Sequence, residues 1–355
     1  MPAVRTGALK LVVFSLVPAT VVAAVLGAVY FFWWRPAREL AAGGKPLNER
    51  AWESSYTERG RPVPPSGPRE GYWGARLGAK IFDPRTGWHE PHVVIPGLVD
   101  IDERGLQRYV ATRADRQRVL VVGGSAAQGA YSSSIDTTYF HVLGTELERL
   151  GTPADVTIVA AGAWKSLQEL PALATYGPEI HPDVAVFLDG LNDLTNGATS
   201  RALYGQAVAT ADGSPWSITY HAHDYEQRVA DYLDNMRRAA SMTTSMGADL
   251  LVVLQPALVD RAHRTPVEDA LLTVSLVPHA SAEALSRSYD QMRGGLTELA
   301  ETGALHFLDA SRIFDDERAT TFTDMWHFTD FGHAILGRAI AAQVAPLLQR
   351  RRPPG

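Results

Sequence analysis

From Arg118 onward the chain alternates short, unbroken apolar runs with longer amphipathic stretches, and this alternation constrains the fold more than any other feature. RVLVVGG (118–124), DVTIVAAG (155–162), DVAVFLDG (183–190), DLLVVLQP (249–256) and LHFLDA (305–310) are five such runs. A strand that is apolar at every position, not every second one, has both faces covered, as in a parallel sheet between helical layers. Amphipathic stretches at 137–151, 166–176 and 331–349 supply helices between and after them. The predicted domain, residues 117–350, is therefore α/β: a three-layer αβα sandwich around a parallel, flavodoxin-like sheet.

The N-terminal third reads differently. After a short tail, residues 1–10, the segment 11–34 (LVVFSLVPATVVAAVLGAVYFFWW) carries no charge. At about 1.5 Å per helical residue it is long enough for a hydrocarbon core of about 30 Å. Arg5 and Lys10 precede it, and Tyr30, Trp33 and Trp34 close it in an aromatic belt before Arg35. A cleavable signal has a shorter apolar core and a small-residue cleavage site, so an uncleaved transmembrane signal anchor is expected. The predicted location is the cell membrane, single-pass, with the N-terminus cytoplasmic and the α/β domain outside the cytoplasm. Residues 35–70 read as a Pro- and Gly-rich linker, and residues 71–116 as an irregular extension wrapped on the domain.

Composition excludes several functions. Of 355 residues, 46% are apolar and 20% charged, which rules out global disorder. The net charge of −6 argues against a nucleic-acid partner. With no cysteine in the chain there is no disulfide, no thiolate nucleophile and no Cys-ligated zinc. No HExxH or similar motif marks a metal site, and no metal or cofactor is expected.

In an open parallel sheet, ligands bind beyond the carboxyl ends of the strands. GGSAAQG places Ser125 there after the first run, AAGAWKS places Gly162 after the second, and DGLNDLTNG places Asn192 and Asp193 after the third. TDMWHFTDFGH brings Asp324 and His327 just before the last helix. A serine hydroxyl needs a base to take its proton, an imidazole titrates near neutrality, and a carboxylate fixes the imidazole tautomer. Ser125, His327 and Asp324 are thus candidate nucleophile, base and orienting acid. The amides of Ser125 and Gly162 and the side chain of Asn192 are candidate oxyanion donors. Ser125 is also well placed to cap a helix, Asn192 and Asp193 to form a turn, and His333 to pack.

The four segments resemble the four sequence blocks of the SGNH/GDSL hydrolases. The Gly-Asp-Ser block is matched by Gly124-Ser125, the second-block glycine by Gly162, the third block by Gly190-Leu191-Asn192-Asp193, and the fourth by Asp324-Met325-Trp326-His327. One departure is plain: Gly124 stands where the usual aspartate would be. The stretch FDPRTGWHEP, continued by DERGLQRY, also resembles the lead-in of membrane-attached bacterial members. The resemblance implies an ester hydrolase with an acyl-serine intermediate, acting on a small-molecule or glycan ester. An acyltransferase with the same triad, or an inactive membrane-tethered binding protein, would be the alternatives. The lipid bilayer is the other expected partner, through the N-terminal helix; the sequence identifies no protein partner.

Overall fold

The five apolar runs become five strands of one six-stranded sheet. In this computed structural model residues 45–65, 80–195, 225–275 and 282–351 are described. The expected membrane span at 11–34 lies outside them. The chain divides into an N-terminal unit, Met1–Leu47, and a large unit, Asn48–Gly355, which carries everything below. Strands β6 (Gln117–Gly123), β7 (Ala154–Ala160), β8 (Val184–Asp189), β9 (Asp249–Leu254) and β10 (His306–Asp309) run parallel to one another, and with the edge strand β5 (Leu106–Tyr109) the sheet order is β10-β9-β8-β6-β7-β5. All six residues of β8 are buried, as are Val119–Val122 of β6 and Leu250–Leu254 of β9. That is the physical reason for runs with no polar alternation.

The sixth strand corrects the expectation of a purely parallel sheet. β5 (Leu106–Tyr109) pairs antiparallel with β7 and makes the sheet mixed. It belongs to the segment read as irregular. That segment also folds two antiparallel hairpins, β1 (Ile81–Asp83) with β2 (Gly87–His89), and β3 (Val93–Ile95) with β4 (Val99–Ile101). Strands of three or four residues are too short for a period of two to be legible.

Helices cover both faces. On one, α2 (Tyr139–Arg149) packs against the C-terminal helix α8 (Asp330–Arg351). On the other lie α3 (Ser166–Ile180), α5 (Tyr225–Ser245) and α7 (Ala282–Glu301). The short α4 (Leu191–Thr195) follows β8 directly. Among the described residues α8 alone is long and apolar enough to cross a membrane, but more than half of its apolar stretch is buried inside the domain. Within the span read as a linker, residues 47–57 form a helix, α1 (Leu47–Thr57), whose Trp52 is buried.

The chain leaves β6 for β7 on one side, then returns to β8 on the other, so the order reverses between β6 and β8. A crevice opens at such a reversal. Ser125 follows β6, and Asn192 follows β8.

Candidate active site

β6 ends at Gly123, where neighbouring backbone leaves no room for a side chain: a Cβ there would lie 2.3 Å from the Leu188 carbonyl oxygen. The chain bends at Gly124, and Ser125 opens the turn that follows. Its Oγ lies 2.8 Å from His327 Nε2, and Asp324 Oδ2 lies 2.7 Å from His327 Nδ1. The three predicted triad residues therefore form one continuous hydrogen-bonded chain.

The loop that carries the acid and the base is rigid for local reasons. Asp324 Oδ1 accepts the backbone N–H groups of Trp326 (2.7 Å) and His327 (2.8 Å). The Thr323 N–H donates to the His327 carbonyl at 2.9 Å, and Phe322 and Phe328 form a β-bridge across the loop. Burial alone would raise the Asp324 carboxyl, but the adjacent imidazole and these donors hold it below the usual carboxylate range. Asp324 is therefore ionised at neutral pH and oriented before any substrate arrives. Behind the loop, Glu268 Oε1 accepts the N–H groups of Thr321 (2.9 Å) and Phe322 (3.2 Å) and pairs with the buried Arg261. Residues 257–275, which include the helix α6 (Pro266–Ser275), thus support the triad loop.

Above the imidazole sits Tyr131, its ring centroid 4.8 Å from that of His327 and tilted by 36°. Tyr131 has φ 68°, a left-handed conformation that costs a bulky residue energy and persists only where its surroundings enforce it. It packs with Leu98 against a small core made by Val93, Val99, Ile101 and Ala130, so the β3–β4 hairpin buttresses this side of the site.

The three expected oxyanion donors fare differently. The Ser125 N–H donates to no protein group among the described residues and stands beside the nucleophile. Asn192 is buried at the start of α4, and its Nδ2 donates to the Trp164 carbonyl at 2.9 Å, which fixes the amide plane. The Gly162 N–H, by contrast, donates to Glu90 Oε1 at 3.0 Å. This corrects its assignment as an oxyanion donor: a buried carboxylate from the N-terminal extension, itself paired with Lys80, has taken that amide. The same extension reaches the loop twice more, through Trp88 Nε1 to the Gly162 carbonyl (3.0 Å) and Trp164 Nε1 to the Trp88 carbonyl (2.9 Å). Trp164 is thereby packed in place. Glu90 and Trp88 escaped the sequence reading because their only signal, a polar–aromatic GWHEP cluster, has no periodicity.

Gly124 explains the departure at the nucleophile block. A Cβ at this position would meet Asn192 Nδ2 at 2.5 Å and the Trp164 carbonyl oxygen at 3.1 Å. The amide of Asn192 lies over the bare Cα, in space that a side chain would occupy.

Asp193 holds structure instead of reacting. It accepts the Ser166 N–H and hydroxyl (2.6 Å to Oγ) and so ties the start of α3 to the turn bearing Asn192. It belongs to a buried acidic group with Asp189 and Glu169. Burial pushes all three up, and the charge of Asp189 adds to the rise at Glu169 and at Asp193, which reaches about 7; hydrogen bonds with Glu169 and Tyr232 partly hold Asp189 down. Burial lowers the neighbouring Lys165 to about 8, partly offset by Asp193. His333 is packed, as expected: its Nε2 donates to the Ala130 carbonyl at 3.1 Å, and burial lowers it to about 4. Among the described residues no cluster of His, Asp and Glu has the makings of a metal site.

A sequence model of the GDSL-like lipase/acylhydrolase family matches residues 121–335. No curated protein matches the chain. Several solved structures do, at low identity. An acetyl xylan esterase matches at 14% identity with a TM-score of 0.41, covering 64% of this chain and 99% of its own. A lipase/acylhydrolase from Enterococcus faecalis matches at 15% and 0.41, covering 67% and 99%. A mutant of an acetyl-xylooligosaccharide esterase from Geobacillus Stearmophilus matches at 14% and 0.40, covering 64% and 94%.

Proposed function

Because the chain belongs to the GDSL-like lipase/acylhydrolase family, whose members cleave ester bonds, we propose that it is a serine esterase working through an acyl-serine intermediate on O-acyl groups. The observation that carries this reading is the unbroken chain from Asp324 through His327 to the Ser125 hydroxyl.

The chemistry follows from that chain. His327 Nε2 takes the proton as Ser125 Oγ attacks the ester carbonyl, and Asp324, ionised and fixed, stabilises the imidazolium that forms. The carbonyl π pair moves to oxygen, where the Ser125 N–H and the Asn192 amide receive the developing charge. Collapse of this intermediate breaks the bond to the alkoxy oxygen, which leaves with the proton from His327. Water, deprotonated by the same imidazole, then attacks the acyl-serine; the carboxylic acid departs and Ser125 recovers its proton.

The substrate we assign is a small-molecule or glycan O-acyl ester outside the cytoplasm. The uncharged segment 11–34 supports it, since a signal anchor with its N-terminus inside the cell delivers the domain to the envelope. Labelling with a fluorophosphonate tests the catalytic part. The wild-type chain is expected to label at Ser125 and Ser125→Ala is not; a folded wild-type chain that stays unlabelled overturns the reading. Incubation with an ester donor and a sugar acceptor separates hydrolysis from acyl transfer, because free acid is the expected product and an acylated sugar is not.

A further inference from the structure

We propose that Trp52 and Tyr56 of α1 are positioning residues of the active site, acting through the buried carboxylate of Asp330. The proposal rests on the serine-esterase reading above. Asp330 opens α8 three residues after His327, at the base of the histidine loop. Its Oδ1 accepts the Ser133 N–H at 2.8 Å, and its Oδ2 accepts the Ser133 hydroxyl at 2.7 Å. Ser133 closes the loop that begins with Ser125 and includes Tyr131, the residue whose ring lies on His327. One carboxylate therefore ties the end of the serine loop to the foot of the histidine loop. Oδ2 also accepts the Tyr56 hydroxyl at 2.5 Å and Trp52 Nε1 at 3.3 Å.

The four donors bear on function for a specific reason. A buried carboxylate is held in orientation by the donors it accepts, and half of the donors to Asp330 come from α1. Burial and Asp330 together raise the Tyr56 phenol, which therefore stays a neutral donor. The ring of Tyr56 also meets Phe331 edge-on, at 4.9 Å. Just beyond the end of α1, the chain is anchored by contacts that do not touch Asp330. Glu58 Oε2 accepts the Thr320 N–H at 2.6 Å, and Arg59 pairs with Glu317 at 3.2 Å. Docking and positioning can thus be perturbed separately.

The test uses the full chain in detergent, with p-nitrophenyl acetate turnover and fluorophosphonate labelling as readouts. Tyr56→Phe combined with Trp52→Phe removes both donors and leaves a small cavity where part of the buried indole stood, whereas Tyr56→Phe alone removes a donor with the ring kept. The double variant should lower kcat about tenfold or more, with KM within about twofold, because a small misplacement of a reacting group is felt in the chemical step. Labelling of Ser125 should slow by the same factor. Glu58→Gln, which weakens the docking of α1 at a distance from Asp330, should lower the melting temperature as much and leave kcat within about twofold. Should the double variant fail to fold, Tyr56→Phe alone carries the comparison. Unchanged kcat and labelling in the Tyr56 variant overturn the proposal, as does an equal rate loss in Glu58→Gln. A folded wild-type chain that does not label removes the esterase reading, and the proposal with it.

Discussion

At Gly124 the absence of a side chain is itself a contact, since the Asn192 amide lies where a Cβ would stand. Gly124→Ala should therefore push Asn192 off its bond to the Trp164 carbonyl. The amide ends a side chain that can turn away, so the loss should fall on kcat and leave thermal unfolding nearly unchanged. Asn192→Ala removes the donor altogether and should raise the barrier by about 3–4 kcal/mol. The two variants measured side by side on one ester should fall in that order, with Gly124→Ala the milder; equal wild-type rates in both would leave Asn192 without a role. Ser125, Asp324 and His327 were legible because each is a chemically loaded residue at a strand end or before the last helix. Gly162 was legible as a position, but its amide was not legible as occupied, because its acceptor Glu90 is 72 residues away in a segment with no pattern.

Among the elements, the five parallel strands stood out in the sequence for the reason that burial on both faces leaves no polar position. The antiparallel β5 did not, since four residues at an edge carry too little pattern, and α1 was hidden inside a segment flanked by Pro and Gly. Its mean polarity resembles that of a linker, and its docking through Trp52 and Tyr56 is made by single side chains that carry no pattern. In α8, His333 is buried and neutral in the fold, while an unfolded histidine takes up a proton near pH 6.5. A base whose folded value is lowered favours the fold fully above about pH 6.5, and loses that contribution as pH falls toward 4. The difference amounts to about 3 kcal/mol. His333→Gln keeps a donor for the Ala130 carbonyl and cannot titrate. Its stability, followed by urea unfolding from pH 7 to pH 4, should decline less than that of the wild type; parallel curves would refute this.

For the molecule as a whole, the acidic group of Glu169, Asp189 and Asp193 tilts stability the other way. Glu169 is fully buried and its carboxyl is pushed well up, so it stays protonated in the fold when the unfolded chain has released its proton. Such a group favours the fold most at low pH, below its unfolded value of about 4, and that contribution fades as pH rises toward the folded value. Glu169→Gln should flatten the decline in melting temperature between pH 5 and pH 8, an outcome that scanning calorimetry reads directly. None of this cluster was legible as a unit, because its members come from α3, β8 and α4 and meet only when the sheet forms. The position of the site at the reversal of strand order was legible, since it depends on topology alone. The Tyr56–Asp330 bond spans 274 residues of chain and the Ser125–His327 bond 202. A ribosome making this protein therefore releases α1 and the nucleophile long before it releases the base and the carboxylate that complete them. Until the last helix emerges the serine is an ordinary alcohol, so a chain still being made, or one cut short, carries no armed hydrolase along its route.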